Sequence, residues 1–407
     1  MKFTKKQIER YSRQIVLKKI GIIGQKKILN SSVLIIGVGG LGSPIAIYLA
    51  AMGIGKIGVV DKDLVEVSDL HRQIIFSTSD IKKGKSLKAI SKLKKIVIDI
   101  EFVAINDLGS IEANALLLQR DTIHGTFPGK VKTTKTGINI GKGNIKIFAE
   151  RDPARLPWGK FGIDVVMECT GIFTKREHAE AHIAAGAKKV LISAPATGED
   201  LTVVCGVNDN KLRKSHRVVS NASCTTNCLA PVAAVLHKAI GIQQGYMTTI
   251  HAYTGDQRLQ DTLHPDPRRA RAAAYSMIPT STGAAKAVGL VLPELKGKLD
   301  GTSIRVPTAN VSVVDLAFTA KRKTTIEEIN KAVTKAANTQ RLKNILETND
   351  EPLVSSDFNH NAASSIFDLT QTQVINNNFC RILSWYDNEW GFSNRMIDTA
   401  IEFAKIK

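Results

Sequence analysis

The 407-residue sequence predicts an α/β protein: a Rossmann-type doubly wound parallel sheet in the N-terminal half, followed by an α+β catalytic domain with a mostly antiparallel mixed sheet. Three observations predict it. An apolar run at 33–36 leads into Gly37-Val38-Gly39-Gly40-Leu41-Gly42 and then a helical stretch, the strand–turn–helix order of a phosphate-binding unit. The apolar content is rich in Ile, Val and Ala and only 5% of residues are aromatic, which suits helices layered on a parallel sheet. Past residue 240, β-rich runs recur at 245–252, 303–306, 312–319 and 379–385.

Taken in order, 33–36 is the first strand and 57–60 the second. Residues 98–107 read as a strand with a polar end, its core at 102–105, and 165–169 follow as the fourth. These four make one continuous parallel sheet with right-handed crossovers. Residues 220–228 read S-N-A-S-C-T-T-N-C and run into the apolar, helix-forming stretch 229–240. Ser223 is a plausible N-cap, which puts Cys224 in the first turn. Unpaired N–H groups and the positive end of the macrodipole there favour a thiolate, the nucleophilic form. A buried structural cysteine is the other reading of the same residues. His251 follows the apolar run 247–250, at a strand end.

At this length there is room for two domains with cores of their own. No apolar run reaches 18 residues and the N-terminus lacks a signal-peptide pattern, so no membrane partner is expected. Five cysteines without metal spacing fit a reducing cytoplasm, and Cys228 reads as packing. The net charge is +19, and residues 1–108 hold 19 Lys+Arg against 9 Asp+Glu, +10 of that total. The lysines are scattered without aromatic interleaving, so a solvated surface that draws in anionic substrates is expected, not a specific nucleic-acid site.

The cysteine run is joined downstream by T-T-I-H-A-Y-T-G-D-Q at 248–257, R-R-A-R-A-A-A at 268–274, S-T-G-A-A-K-A-V at 281–288, R-V-P-T-A-N-V-S-V-V-D at 305–315 and S-W-Y-D-N-E-W-G-F-S-N at 384–394. Together these resemble the glyceraldehyde-3-phosphate dehydrogenase family, from about Ile98 to Lys407. Residues 9–97 resemble a different family, the ThiF-type adenylyltransferases related to ubiquitin-activating enzymes. The match is carried by R-Y-S-R-Q-I at 10–15, V-L-I-I-G-V-G-G-L-G-S at 33–43, D-K-D-L-V-E-V-S-D-L-H-R-Q at 61–73 and the Lys85 region. The dehydrogenase's usual first strand and helix are replaced, and the chain reads as a fusion.

The first resemblance implies a phosphorylating, NAD-dependent aldehyde oxidation of glycolysis. Cys224 adds to glyceraldehyde 3-phosphate, His251 acts as its paired base, and inorganic phosphate resolves the thioester. Thr254 and Arg305 would hold the substrate's phosphate, with Asp256 steadying the loop. Ser223, Thr225, Thr282 and the backbone of Gly283 would hold inorganic phosphate. Arg268, Arg269 and Arg271 would line the cofactor groove and subunit contacts. Asn388 matches the residue that hydrogen-bonds the nicotinamide carboxamide, and Arg151 and Ser193 match further cofactor contacts. A cytoplasmic homotetramer is implied.

For the nucleotide, Gly37, Gly39 and Gly42 form the phosphate cradle. An acid about 20 residues on grips the ribose in such units. Spacing selects Asp61, family match selects Asp107, and the choice stays open. Either acid disfavours a 2′-phosphate, hence NAD over NADP. Domain boundaries are expected at 1–223 for the nucleotide-binding domain (1–97 ThiF-like, 98–223 dehydrogenase-like), completed by 385–407 with a C-terminal helix from residue 393, and at 224–384 for the catalytic domain. Two other functions compete. Arg13, Asp63, Arg72, Gln73 and Lys85 match residues that grip ATP in the ThiF-type family, but the Mg-binding Asp and Cys-x-x-Cys pairs of that family are missing. An inactive or scaffold product with an impaired nucleotide site is the third reading.

Overall fold

The computed structural model describes residues 11–17, 20–70, 73, 75–90, 101–141 and 143–406. The side chain of Arg13, residue Arg72 and the join at 98–100 lie outside the described residues. The chain divides into two compact units, Met1–Glu101 and Phe102–Lys407.

In the first unit, helix α1 (Gly21–Asn30) precedes strand β1 (Ser32–Ile36), helix α2 (Gly42–Met52) and strand β2 (Lys56–Val60). The two strands pair in parallel, Ser32 with Lys56 through Ile36 with Val60. Ala46 and Ala50, four apart on α2, bury one face against Ile35 and Val38.

The second unit holds the rest. Strand β3 (Ala104–Asn106) is followed by helix α3 (Ile111–Gln119), whose N-cap Ser110 accepts from the Ala113 N–H. Strands β4 (Lys132–Thr134), β5 (Gly137–Asn139) and β6 (Asn144–Phe148) form a meander, and β3 pairs in parallel with β6. A second sheet comprises β7 (Val165–Glu168), β8 (Lys189–Ile192), β9 (Leu201–Thr202) and β10 (Val218–Ser220) in the order β9-β10-β8-β7, all parallel. Successive strand residues face opposite ways. Val190 and Ile192 therefore pack on Ala179 of helix α4 (Arg176–Ala184), while Leu191 packs with Met396 and Phe403 from the C-terminal helix. Both faces of this parallel sheet are covered, as its apolar strands require.

Helix α5 (Cys224–Ile240) leads into the largest sheet. Its elements are β11 (Ile242–Ala252), β12 (Ile278–Ser281), helix α6 (Ala284–Val291), β13 (Leu299–Val306), β14 (Ser312–Ala320), helix α7 (Ile326–Ala337), β15 (Leu346–Asn349), β16 (Ser365–Asp368), β17 (Gln373–Ile375) and β18 (Phe379–Tyr386). The sheet order is β12-β13-β11-β14-β18-β16-β15, with β17 also on β18. Pairing is antiparallel except between β11 and β13 and between β15 and β16. Leu229, Val232, Ala233 and Leu236 of α5 share one buried core with Met247, Leu316, Phe318 and Ile382. The terminal helix α8 spans Trp390–Lys405, three residues earlier at its start than the sequence suggested.

The fold class is α/β with a mixed-sheet catalytic part, as read from the sequence. One expectation is corrected. The strands near 33–36, 57–60, 102–105 and 165–169 do not join into one continuous sheet among the described residues. β1 and β2 form a sheet of two, β3 pairs with β6, and β7 pairs with β8. The physical reason is local for β3. It is three residues long, and the Asn106 side chain exchanges hydrogen bonds of 2.9 and 3.0 Å with the Glu150 backbone, locking it to the segment after β6.

Candidate active site

Ser223 caps α5, its hydroxyl accepting from the Thr226 N–H at 3.1 Å, so Cys224 is the first helical residue. Gly241 ends the helix and β11 runs back along it, delivering His251 to the same end. Cys224 Sγ lies 3.5 Å from His251 Nε2. Parallel pairing of β11 with β13 sets Arg305 directly beside His251.

The tautomer of His251 follows from its neighbours. Nδ1 is 2.7 Å from the Ala252 carbonyl oxygen, which can only accept, so Nδ1 carries the proton and donates. Nε2 is then bare and faces the thiol as a proton acceptor. Arg305 Nη1 donates to the same carbonyl at 3.1 Å, approaches Thr254 Oγ1 at 3.5 Å and sits 3.0 Å from Nδ1. Burial, then the Arg305 charge, push His251 down to about 3. Burial raises the Cys224 thiol, against the depression expected from the helix terminus, while Arg305 and hydrogen bonds from Thr225 and the local backbone pull it back. In the free protein the pair therefore rests as thiol and neutral imidazole. Cys228 differs: fully buried beside Ser365 and Ser384, it is pushed up to about 12 and serves the core.

The remaining candidates around this pair converge only in part. Thr254, Arg305, His251 and Cys224 share one neighbourhood. Arg305 Nε has no partner among the described residues, an under-satisfied cation suited to an anion. Asp256 pairs with Arg269, which ties the 256 loop to the 269 segment; Arg271 is engaged by Asp261 at 2.8 Å. Thr226 Oγ1 donates to the Ala284 carbonyl, setting the start of α6 against the start of α5. Ser223, Thr282 and Gly283 thus lie at two adjacent helix N-termini, where N–H groups favour anions. The Thr225 hydroxyl is engaged in the interior, 2.8 Å from Tyr386 Oη.

Asn388 is held by Ser312, whose hydroxyl is 2.8 Å from Asn388 Oδ1. Ser193 donates its backbone N–H to the Glu168 carbonyl at the carboxyl end of β7, and Arg151 is exposed after β6. Sequence reasoning missed Tyr386 and Ser312. Tyr386 bridges Thr225 and Thr249 and stands edge-on to His251 at 5.9 Å. Its signal lay in the S-W-Y-D-N-E-W motif, two residues before Asn388.

In the first unit the glycine turn connects β1 to α2. Gly37 has φ +84°, open to glycine, and a Cβ on Gly42 would strike the Gly37 carbonyl. Nothing crowds Gly39, leaving its backbone open to a ligand. Asp61 closes this turn: Oδ2 accepts from the Val38 N–H at 2.8 Å and Oδ1 from the Asp63 N–H at 2.9 Å. Asp107, in the second unit, accepts from the Gly109 N–H through Oδ1 at 2.7 Å, and its Oδ2 has no partner among the described residues. Lys85 is bound to buried Asp69 at 3.0 Å, and Gln73 to the same carboxylate.

Comparisons with known proteins agree with this layout. Residues 223–388 match the glyceraldehyde 3-phosphate dehydrogenase C-terminal domain and residues 84–176 its NAD binding domain, while residues 11–125 match the ThiF family. Glyceraldehyde-3-phosphate dehydrogenase of Xanthobacter flavus is 66% identical over 308 residues, covering 76% of this chain and 92% of that one. The Cereibacter sphaeroides protein of the same name is 63% identical over the same shares. That of Geobacillus stearothermophilus is 54% identical over 75% of this chain and 91% of its own length. A neighbouring cysteine and histidine beside an arginine, two abutting helix N-termini and identity at this level across three quarters of the sequence lead to one conclusion: the chain belongs to the glyceraldehyde-3-phosphate dehydrogenase family.

Proposed function

We propose that the chain is a phosphorylating glyceraldehyde-3-phosphate dehydrogenase. The observation that carries this reading is the 3.5 Å approach of Cys224 Sγ to a bare His251 Nε2 at a helix start. His251 takes the thiol proton as the sulfur bonds to the aldehyde carbon of glyceraldehyde 3-phosphate, and the Cys224 N–H steadies the developing oxyanion. Nε2 returns that proton to the oxyanion, giving the thiohemiacetal, and takes the hydroxyl proton back as the thiohemiacetal is oxidised to a thioester. NAD, when bound, supplies the hydride acceptor. Inorganic phosphate then attacks the thioester and Cys224 leaves as thiolate.

Arg305 and Thr254 hold the substrate's phosphate, with Asp256 fixing the loop through Arg269. Ser223, Thr282 and the Gly283 backbone hold inorganic phosphate at the paired helix starts, and Thr225 supports them from beneath through Tyr386. Asn388, Arg151 and Ser193 are the cofactor residues of the second unit. In the first unit, Gly37, Gly39 and Gly42 cradle a nucleotide diphosphate. Asp61 accepts from the Val38 N–H of that turn, and Asp107, whose Oδ2 has no partner among the described residues, is the acid that the family match assigns to the ribose. The domain division at 223/224, with 385–407 returning to the first domain, a homotetramer and a cytoplasmic location belong to the same reading.

The test is NADH formation from glyceraldehyde 3-phosphate. It should require inorganic phosphate and vanish in Cys224→Ala. A folded protein with no such activity would support the scaffold reading instead.

A further inference from the structure

The dehydrogenase reading gives Asn388 the nicotinamide carboxamide, and the following rests on it. An asparagine amide has two ends of almost the same shape, one accepting and one donating. Which end faces the ligand must be set by the protein. The backbone of 387–390 is fixed by Asp387: Oδ1 accepts from the Glu389 and Trp390 N–H groups, and Oδ2 from Asn310 Nδ2 and the His360 N–H. None of these bonds distinguishes the two ends of the Asn388 amide.

Ser312 does. It is 1% exposed and opens β14. Its Oγ accepts from the Ala252 N–H at 3.0 Å, and its single proton goes to Asn388 Oδ1 at 2.8 Å. With the amide reversed, two donors would converge on Oγ and the Ser312 proton would lose its acceptor in a buried place. The observed orientation leaves Asn388 Nδ2 without a partner among the described residues, presenting N–H donors to a carbonyl oxygen. Ala252 is also the residue whose carbonyl receives His251 Nδ1–H and Arg305. One residue thus sets the tautomer of the base on one side and, through Ser312, the polarity of the cofactor anchor on the other.

We propose that Ser312 is a positioning residue for the redox step, turning the Asn388 NH2 group toward the nicotinamide carboxamide. It touches neither substrate nor cofactor.

The experiment is calorimetric titration of the full chain with NAD and with ADP-ribose, which lacks the nicotinamide. Ser312→Ala should weaken NAD roughly tenfold, the size of one lost neutral hydrogen bond and its orientation, and leave ADP-ribose unchanged. Asn388→Ala should weaken NAD at least as much, and the double variant no further, because Ser312 acts only through Asn388. Hydride delivery to deuterium-labelled NAD, followed by NMR, should lose strict facial selectivity in Ser312→Ala. Should that variant not fold, Ser312→Thr and Ser312→Val, alike in shape and different in the hydroxyl, repeat the comparison, with threonine retaining NAD affinity and valine losing it. Equal weakening of NAD and ADP-ribose, or additive effects in the cycle, would overturn the role of Ser312 alone. A wild-type chain that binds neither ligand would overturn the dehydrogenase reading and this inference with it.

Discussion

Arg305 stands beside His251 across the parallel pairing of β11 and β13, its Nη1 3.0 Å from His251 Nδ1. A guanidinium that close opposes protonation of the ring, and burial acts in the same direction. The ring is thereby kept unprotonated at neutral pH, with Nε2 facing the Cys224 sulfur at 3.5 Å.

Replacing the acceptor should show in the chemistry of the sulfur. In His251→Asn, alkylation of Cys224 by iodoacetamide at pH 7 should slow about tenfold or more, and kcat should fall by roughly 10²-fold or more. At high pH, where the thiol ionises unaided, the two alkylation rates should converge. Equal rates at pH 7 would remove His251 from the role of base.

Arg305 is expected to carry substrate affinity. Arg305→Leu should raise KM for glyceraldehyde 3-phosphate by about ten- to a hundredfold, the size of a charge-assisted phosphate contact. KM for inorganic phosphate should change less. The reverse pattern would exchange the two anion sites.

Acid stability follows from the same histidine. Its folded-state value of about 3 lies below its ordinary 6.5. The unfolded chain therefore binds the extra proton first, and stability falls as pH drops from about 6.5 toward 3. Thermal unfolding midpoints of the wild type should decline through that window more steeply than those of His251→Asn. Parallel curves would contradict a buried neutral imidazole.

The two candidate ribose acids predict different losses. Asp107→Ala should weaken NAD about tenfold through a lost hydrogen-bond acceptor. Asp61→Ala removes the bond to the Val38 N–H that ties the 37–42 turn to the end of β2, along with the local bond to the Asp63 N–H, so it should lower the thermal stability of the first unit. A loss of NAD affinity only in Asp61→Ala, with stability intact, would reverse the assignment.

Much of the site was legible because its signals are local. Ser223 before an apolar helical run identified a capped helix start, and that places Cys224 whatever the tertiary fold. The glycine turn was legible for the same reason, since Gly37 and Gly42 answer to constraints within six residues. Strand partnership was not. The choice of β6 by β3, or of β8 by β7, is decided between segments far apart in sequence, and short strands carry little pattern to announce it. Ser312 and Tyr386 were illegible on similar grounds. They are register partners on β14 and β18, and each gains its meaning from a hydroxyl contact that only the assembled sheet creates. The resting state of the thiol was misjudged because the helix start is visible in sequence and the degree of burial is not.

The most direct measurement is a single turnover of the purified chain with glyceraldehyde 3-phosphate and NAD, withholding inorganic phosphate. A burst of NADH equal to the sites present, with an acyl group recovered on Cys224 and released on adding phosphate, is the predicted result. NADH formed with no acyl group on Cys224, or an acyl group carried by another residue, would contradict it.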